Sequence, residues 1–300
     1  MAKVFIDGAA GTTGLQIRDR LKTRPDIELI TLSEQTRKDE CKRAEAMSRA
    51  DVVFLCLPDD AARNAVTLAD KDTVIIDTST AHRTLSDWVY GMPELEGQRE
   101  KIRASKRIAN PGCHASGFIA LVAPLVSNGI INKTARLSCF SLTGYSGGGK
   151  KMIAEYESEH SALYDAPRQY GLSQNHKHLP EMKKLCGLDF APVFCPVVAP
   201  FYSGMQVTVP LFDTDTEKIK EIYKDTYADG VIRFIDASDN GFVSAASLSG
   251  KDCMNVYVYG GGERAILCAV YDNLGKGASG AAIQNMNIIL NEEETKGLIL

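Results

Sequence analysis

Residues 3–14, KVFIDGAAGTTG, restrict the possible folds of this chain more than any other stretch. A short apolar run, residues 3–7, ends at Gly8. Gly11 and Gly14 follow at three-residue intervals, and residues 12–22 continue in a helical pattern with Leu15, Ile17 and Leu21. A strand that turns through glycines straight into a helix has a physical reason for each glycine. The first permits the tight turn, the second lets a backbone approach a pyrophosphate, and the third lets helix and sheet pack closely. The helix start adds amide donors and a partial positive charge. The spacing is GxxGxxG rather than GxGxxG, so it points to a nucleotide-binding βαβ unit chiefly because of the strand and helix around it.

The rest of the first third keeps that rhythm. Residues 27–32, 51–57 (DVVFLCL) and 73–77 (TVIID) read as strands, the latter two apolar on both faces as central parallel strands are. Residues 34–49 and 59–69 read as the intervening helices, and 107–109 as a further short strand. Past residue 112 the pattern changes. An apolar helix follows Cys113, in which Pro124 should force a kink or restart. Longer strands are expected over 133–142, 193–198, 204–212 and 255–271, the last folding as a hairpin around Gly260-Gly261-Gly262. Residues 216–227 and 278–290 read as helices. The fold class expected is α/β, with a Rossmann-type parallel-sheet domain and a second, α+β domain built on a mixed or antiparallel sheet.

Composition excludes several classes. With 44% hydrophobic and 24% charged residues, the chain is neither disordered nor fibrous. A net charge of -4 argues against a nucleic-acid partner. The longest clearly apolar stretch, 118–126, is too short to span a bilayer, and no secretory leader pattern opens the sequence. Eight cysteines without a CxxC pair suggest reduced thiols and a cytoplasmic location, with no zinc ribbon and no metal site.

Four further motifs carry chemistry. After the second strand come Ser33, Arg37 and Lys38, donors suited to a ribose 2′-phosphate; they favour NADP, although Glu34 beside them would suit NAD. Asn110-Pro111-Gly112-Cys113 sets a thiol at a helix start, where the dipole favours the thiolate and the amides of residues 112–114 can hold an oxyanion. His176-Lys177-His178-Leu179-Pro180-Glu181 offers an imidazole to pair with that thiolate and shuttle a proton, with Glu181 to orient the ring. His178 is preferred over His176 because it lies nearer Glu181. Residues 144–151 (GYSGGGKK) form a second glycine-rich loop whose amides and Lys150 can hold an anion such as a leaving phosphate.

Together these residues resemble the N-acetyl-γ-glutamyl-phosphate reductase family of arginine biosynthesis, in its shorter form. The matching pieces are residues 8–14, 90–94 (YGMPE), 109–113 (ANPGC), 144–150, 176–181 and 272–280 (DNLGKGASG) with Gln284-Asn285. The resemblance implies NADPH-dependent reductive dephosphorylation of an acyl phosphate through a Cys113 thioester, with His178 or His176 as acid/base. It implies an NADP-binding Rossmann domain of residues 1–112 and 273–300, and a catalytic and oligomerising domain of residues 113–272. Gly8, Gly11, Thr12, Thr13 and Gly14 would then contact cofactor, joined by Ser146 and Gly147, and by Asn273 near the nicotinamide. Arg83, Asn110 and Lys150 would face substrate. A homo-oligomer, dimer or tetramer, is expected, with no membrane or nucleic-acid partner. The sequence departs from the long-form pattern at Thr12-Thr13, Lys177 and Lys150-Lys151. A related acyl-phosphate reductase, acting on aspartyl or aminoadipyl phosphate, is the alternative.

Overall fold

The computed structural model describes residues 1–158, 161–236 and 241–300. The chain divides into two compact units, Met1–Pro111 with Ala278–Leu298, and Gly112–Gly277 with Ile299–Leu300.

In the first unit six strands form one wholly parallel sheet: β1 (Ala2–Asp7), β2 (Ile27–Ile30), β3 (Val52–Leu55), β4 (Val74–Asp77), β5 (Val89–Tyr90) and β6 (Arg107–Ala109). Their order is β2-β1-β3-β4-β6-β5. Alternate residues of each strand feed two cores. Val4, Ile6, Phe54 and Ile76 pack with Ile17 and Leu21 of the first helix and Ile283 and Met286 of the closing helix Gly280–Ile289. Phe5, Val53, Leu55 and Ile75 pack on the other face with Met47 and Trp88. Burial on both faces explains why these strands read as unbroken apolar runs.

The expected helix over 34–49 begins only at Glu40. Residues 33–38 are instead turned, with Arg37 N–H donating to Ser33 O at 2.9 Å, and the Asp39 carboxylate caps the helix by accepting from Lys42 N–H at 3.1 Å.

The second unit holds a seven-stranded mixed sheet of β7 (Ser138–Gly144), β8 (Arg168–Gln169), β9 (Val193–Ala199), β10 (Met205–Phe212), β11 (Ile232–Phe234), β12 (Met254–Gly261) and β13 (Arg264–Tyr271), ordered β11-β12-β13-β10-β7-β9-β8. The hairpin around Gly260–Gly262 is present, with Gly261 paired to Arg264. The strand expected over 133–142 starts at Ser138, because Asn132 folds residues 132–134 into a side-chain-capped turn. Residues 273–277 group with this unit rather than with the first. The buried Asp272 carboxylate accepts from Leu274 N–H and Ser203 Oγ, and Asn273 Oδ1 accepts from Gly204 N–H.

The helix Cys113–Ser127 lies against β10 and β13 and runs through Pro124 without a break. Proline removes the N–H that would bond the Ala120 carbonyl. The Tyr227 hydroxyl fills that vacancy, donating to Ala120 O at 2.6 Å. Among the described residues no helix is long and apolar enough to cross a membrane.

Candidate active site

Cys113 is the first residue of its helix, and the cap residue Gly112 has no side chain to bond the leading amides. No acidic residue lies in the first turn, so nothing in the helix's own first turn offsets the positive end of its dipole. Cys113 is half-buried. Burial pushes the thiols of Cys139, Cys186 and Cys253 up, that of Cys268 to about 11 and that of Cys56 to about 12, which keeps all five protonated and inert.

His178 sits at the cap of the helix Leu179–Leu185, which Pro180 helps to start, and is buried at 5% exposure. One donor atom each from Cys113, His114 and His178 lies within 4.8 Å of the others, so the thiol and the preferred imidazole do converge. His176 is half-buried, with its ring 4.8 Å from that of His178, and its Nδ1 accepts from His178 N–H at 3.3 Å. Burial, and then the Lys177 charge, lowers the His176 pKa.

Glu181 has a partner beyond the one expected. Its Oε1 is 3.9 Å from His178 Nε2, too long for a hydrogen bond, whereas Oε2 accepts from Gly112 N–H at 3.1 Å. It anchors the backbone beside the thiol as well as standing near the imidazole.

Sequence reasoning missed His114, which is fully enclosed. One ring nitrogen meets Ser141 Oγ at 2.6 Å and the other meets Tyr170 Oη at 2.7 Å. Burial, reinforced by His176, pushes its pKa down to about 3, so it is neutral at pH 7. With both nitrogens engaged, His114 completes no ready metal cage with Cys113 and His178. Tyr170 is also held protonated, first by burial and then by the nearby Cys113. The only sequence signal for His114 was adjacency to Cys113. Tyr170 lies 56 residues beyond His114 and meets it because β8 pairs with β9.

The second glycine loop brings Ser146 and Asn273 together: Asn273 Nδ2 donates to Ser146 Oγ at 3.0 Å. A Cβ at Gly147 would lie 3.5 Å from that same amide nitrogen. Lys150 is exposed on the helix Gly149–Ser158.

In the first unit, Gly8 has φ +87°, and a Cβ there would lie 2.3 Å from Cys56 O. At Gly14 a Cβ would lie 2.5 Å from Gly8 O. Both glycines are required by the chain's own packing. At Gly11 the nearest atoms would be 3.5 and 3.7 Å away, ordinary contact, so nothing in the protein demands glycine there. The helix that begins at Thr12 has no side-chain cap and no acid in its first turn. An open cradle under an uncapped helix start, with Thr12 and Thr13 half-buried beside it, fits the pyrophosphate of a dinucleotide. Ser33, Arg37 and Lys38 are exposed on the turn after β2, where Arg37 pairs with Glu34 at 2.9 Å.

Arg83 is buried and spends donors on backbone, bonding Asn110 O at 2.9 Å and Thr78 O at 3.0 Å. Asn110 Nδ2 in turn donates to Ala278 O. Beside them lies a pair that the sequence did not suggest: Asp77 accepts from Ser79 Oγ and meets His82 Nδ1, both at 2.6 Å, while the His82 ring stacks on Trp88.

Comparison with known proteins bears on this geometry. The family described as semialdehyde dehydrogenase, NAD binding domain, matches residues 3–105, and semialdehyde dehydrogenase, dimerisation domain, matches residues 113–273. A Nostoc protein named N-acetyl-gamma-glutamyl-phosphate reductase 2 is 44% identical, with 99% of each chain covered. A Brucella anthropi protein named N-acetyl-gamma-glutamyl-phosphate reductase is 45% identical over 97% of this chain and 99% of its own. The chain belongs to the N-acetyl-γ-glutamyl-phosphate reductase family.

Within the wider fold, a solved aspartate semialdehyde dehydrogenase II from Vibrio cholerae, complexed with ASA, aligns at TM-score 0.74 and 19% identity, covering 97% of this chain and 98% of that one. The Candida albicans aspartate semialdehyde dehydrogenase with NADP aligns at TM-score 0.68 and 16% identity, covering 97% and 99%. These show the shared fold: a parallel-sheet Rossmann-type unit and a separate mixed-sheet unit.

Proposed function

We propose that this chain reduces N-acetyl-γ-glutamyl phosphate to N-acetylglutamate semialdehyde and inorganic phosphate, with NADPH as reductant and Cys113 as nucleophile. The observation that carries the reading is the convergence of the Cys113 thiol with His178 at an uncapped helix start.

The residues fit the steps. The thiolate adds to the acyl carbon, and the amides at the head of the helix receive the developing oxyanion. The C–O bond to phosphate breaks, phosphate leaves with the bonding pair and takes up a proton, and a thioester remains on Cys113. A nicotinamide cofactor, when bound, supplies the hydride that reduces the thioester carbonyl. His178 gives a proton to the resulting alkoxide and takes it back as the C–S bond breaks, so the aldehyde departs and the thiolate is restored. Splitting one reduction into acylation and hydride steps lowers each barrier. Neutral His114 and protonated Tyr170 add no charge beside the thiolate.

Cys113→Ser should lower turnover by about a thousandfold or more while nicotinamide binding, followed by cofactor fluorescence, stays within about twofold. Normal turnover in that variant would end the thioester mechanism. Running wild type against N-acetyl-glutamyl, aspartyl and aminoadipyl phosphates assigns the substrate chain.

Preference for NADPH over NADH is supported by Ser33, Arg37 and Lys38 on one exposed turn, and by Arg37 neutralising Glu34. Arg37→Ala should lower kcat/KM for NADPH about tenfold and leave NADH nearly unchanged, since only the 2′-phosphate needs that cation. Equal losses with both would reject the assignment.

For assembly, one face of the mixed sheet leaves large apolar side chains open: Phe140 at 42%, Val193 at 57% and Ile266 at 47% exposure. A second copy of the chain is the partner we infer for that face. Eight cysteines without a disulfide suit a cytoplasmic enzyme.

A further inference from the structure

The first turn of the helix that carries Cys113 has a side chain bonded to both of its backbone partners. In an α-helix the Gly117 N–H would donate to the Cys113 carbonyl. Here the Tyr271 hydroxyl, at the end of β13, bonds both of these groups from the side. It donates to Cys113 O and accepts from Gly117 N–H at 3.1 Å. Tyr271 is completely buried, and the proximity of Cys113 adds to the burial that keeps its phenol protonated.

This contact depends on residue 117. A Cβ there would lie 2.7 Å from the Tyr271 oxygen and 2.8 Å from the edge of its ring. Only glycine leaves room for the phenol. One residue earlier, Ser116 N–H donates to Gly112 O at 2.9 Å.

That carbonyl belongs to the same planar peptide as the His114 N–H, and in a trans peptide the two point in opposite directions. A hydroxyl that fixes one end of the plane fixes the other. The His114 N–H is the second of the helix, among the leading amides that have no carbonyl a turn earlier to bond. It points out of the helix start, past the residue that bears the thiol. The His114 ring is pinned separately by Ser141 and Tyr170, so peptide and side chain are both held.

We propose that Tyr271 is a positioning residue: by bonding the Cys113 carbonyl and the Gly117 amide it aims the Cys113–His114 peptide so that the His114 amide meets the oxyanion formed when Cys113 is acylated. The proposal rests on the reading of Cys113 as an acylated nucleophile.

The test is acylation of the intact enzyme by p-nitrophenyl acetate, read as the burst of nitrophenolate, beside alkylation of Cys113 by iodoacetamide as a function of pH. Acylation passes through an oxyanion and alkylation does not. Tyr271→Phe should slow the burst about tenfold or more, and kcat of reduction with it, at nearly constant KM. The alkylation rate and its pH midpoint should stay as in wild type. Tyr271→4-aminophenylalanine, which keeps a donor on the Cys113 carbonyl and preserves the packing should the phenylalanine variant fold poorly, should recover most of the burst. An unchanged burst in Tyr271→Phe, a matching fall or pH shift in alkylation, or no recovery with the amino side chain would each overturn the proposal. If wild type shows a burst but reduces no acyl phosphate, the functional reading fails and this one stands. A wild type without a burst sinks both.

Discussion

His114 gives the clearest single-residue consequence of burial. An unfolded histidine gains its proton near pH 6.5, whereas His114 in the fold resists protonation until about pH 3. Below 6.5 the unfolded chain therefore binds a proton that the native one does not. The stability associated with neutral His114 is complete above pH 6.5 and is lost as pH falls, by up to about 1.4 kcal/mol per pH unit. His176, lowered in the same direction, adds to the slope. Urea unfolding between about pH 6.5 and 4.5 should show this loss, and His114→Gln should flatten it by close to one proton; an unchanged slope would mean that His114 titrates normally. At this scale the sequence revealed residues whose chemistry is local. Cys113 at a helix start and the His176/His178 pair could be read directly. His114, Tyr170 and Tyr271 could not, because their roles come from contacts across 27, 56 and 158 residues of chain. Glu181 was found, but its backbone bond to Gly112 was invisible for the same reason.

The glycine loop separates packing from ligand binding within one element. Gly8 and Gly14 face backbone oxygens at distances no Cβ tolerates, while a Cβ at Gly11 would make only ordinary contact. Gly11→Ala should leave the melting temperature within about a degree, since neither contact nor backbone angle opposes a methyl group, yet raise KM for the nicotinamide cofactor about tenfold as the methyl meets the pyrophosphate. A large fall in melting temperature with unchanged KM would reverse that assignment. Gly14→Ala should unfold the loop outright. Element types were legible wherever burial wrote itself into the pattern, as in the two-sided apolar strands β3 and β4. Boundaries failed where one side chain decided them: Asp39 delays a helix and Asn132 delays a strand. Pro124 broke the local rule because Tyr227, 103 residues away in sequence, takes the orphaned carbonyl.

For the molecule as a whole, the open sheet face is the feature that asks for a partner. Cross-strand register sets Phe140 beside Cys195 and Thr208, and Pro210 beside Ile266, so the apolar residues share one surface. Phe140→Asp combined with Val193→Asp should lower the sedimenting mass to that of one chain if a second copy covers this face. An unchanged mass would move the interface elsewhere. The first unit has a further property: it closes with Ala278–Leu298, whereas residues 112–277 of the second are continuous. On the ribosome, then, order of birth and order of completion part ways. The Rossmann sheet emerges first but must wait, with one apolar flank bare, until Ile283 and Met286 arrive. The younger unit lacks only Ile299 and Leu300 in that interval, which makes the nascent amino-terminal half the part most in need of a chaperone.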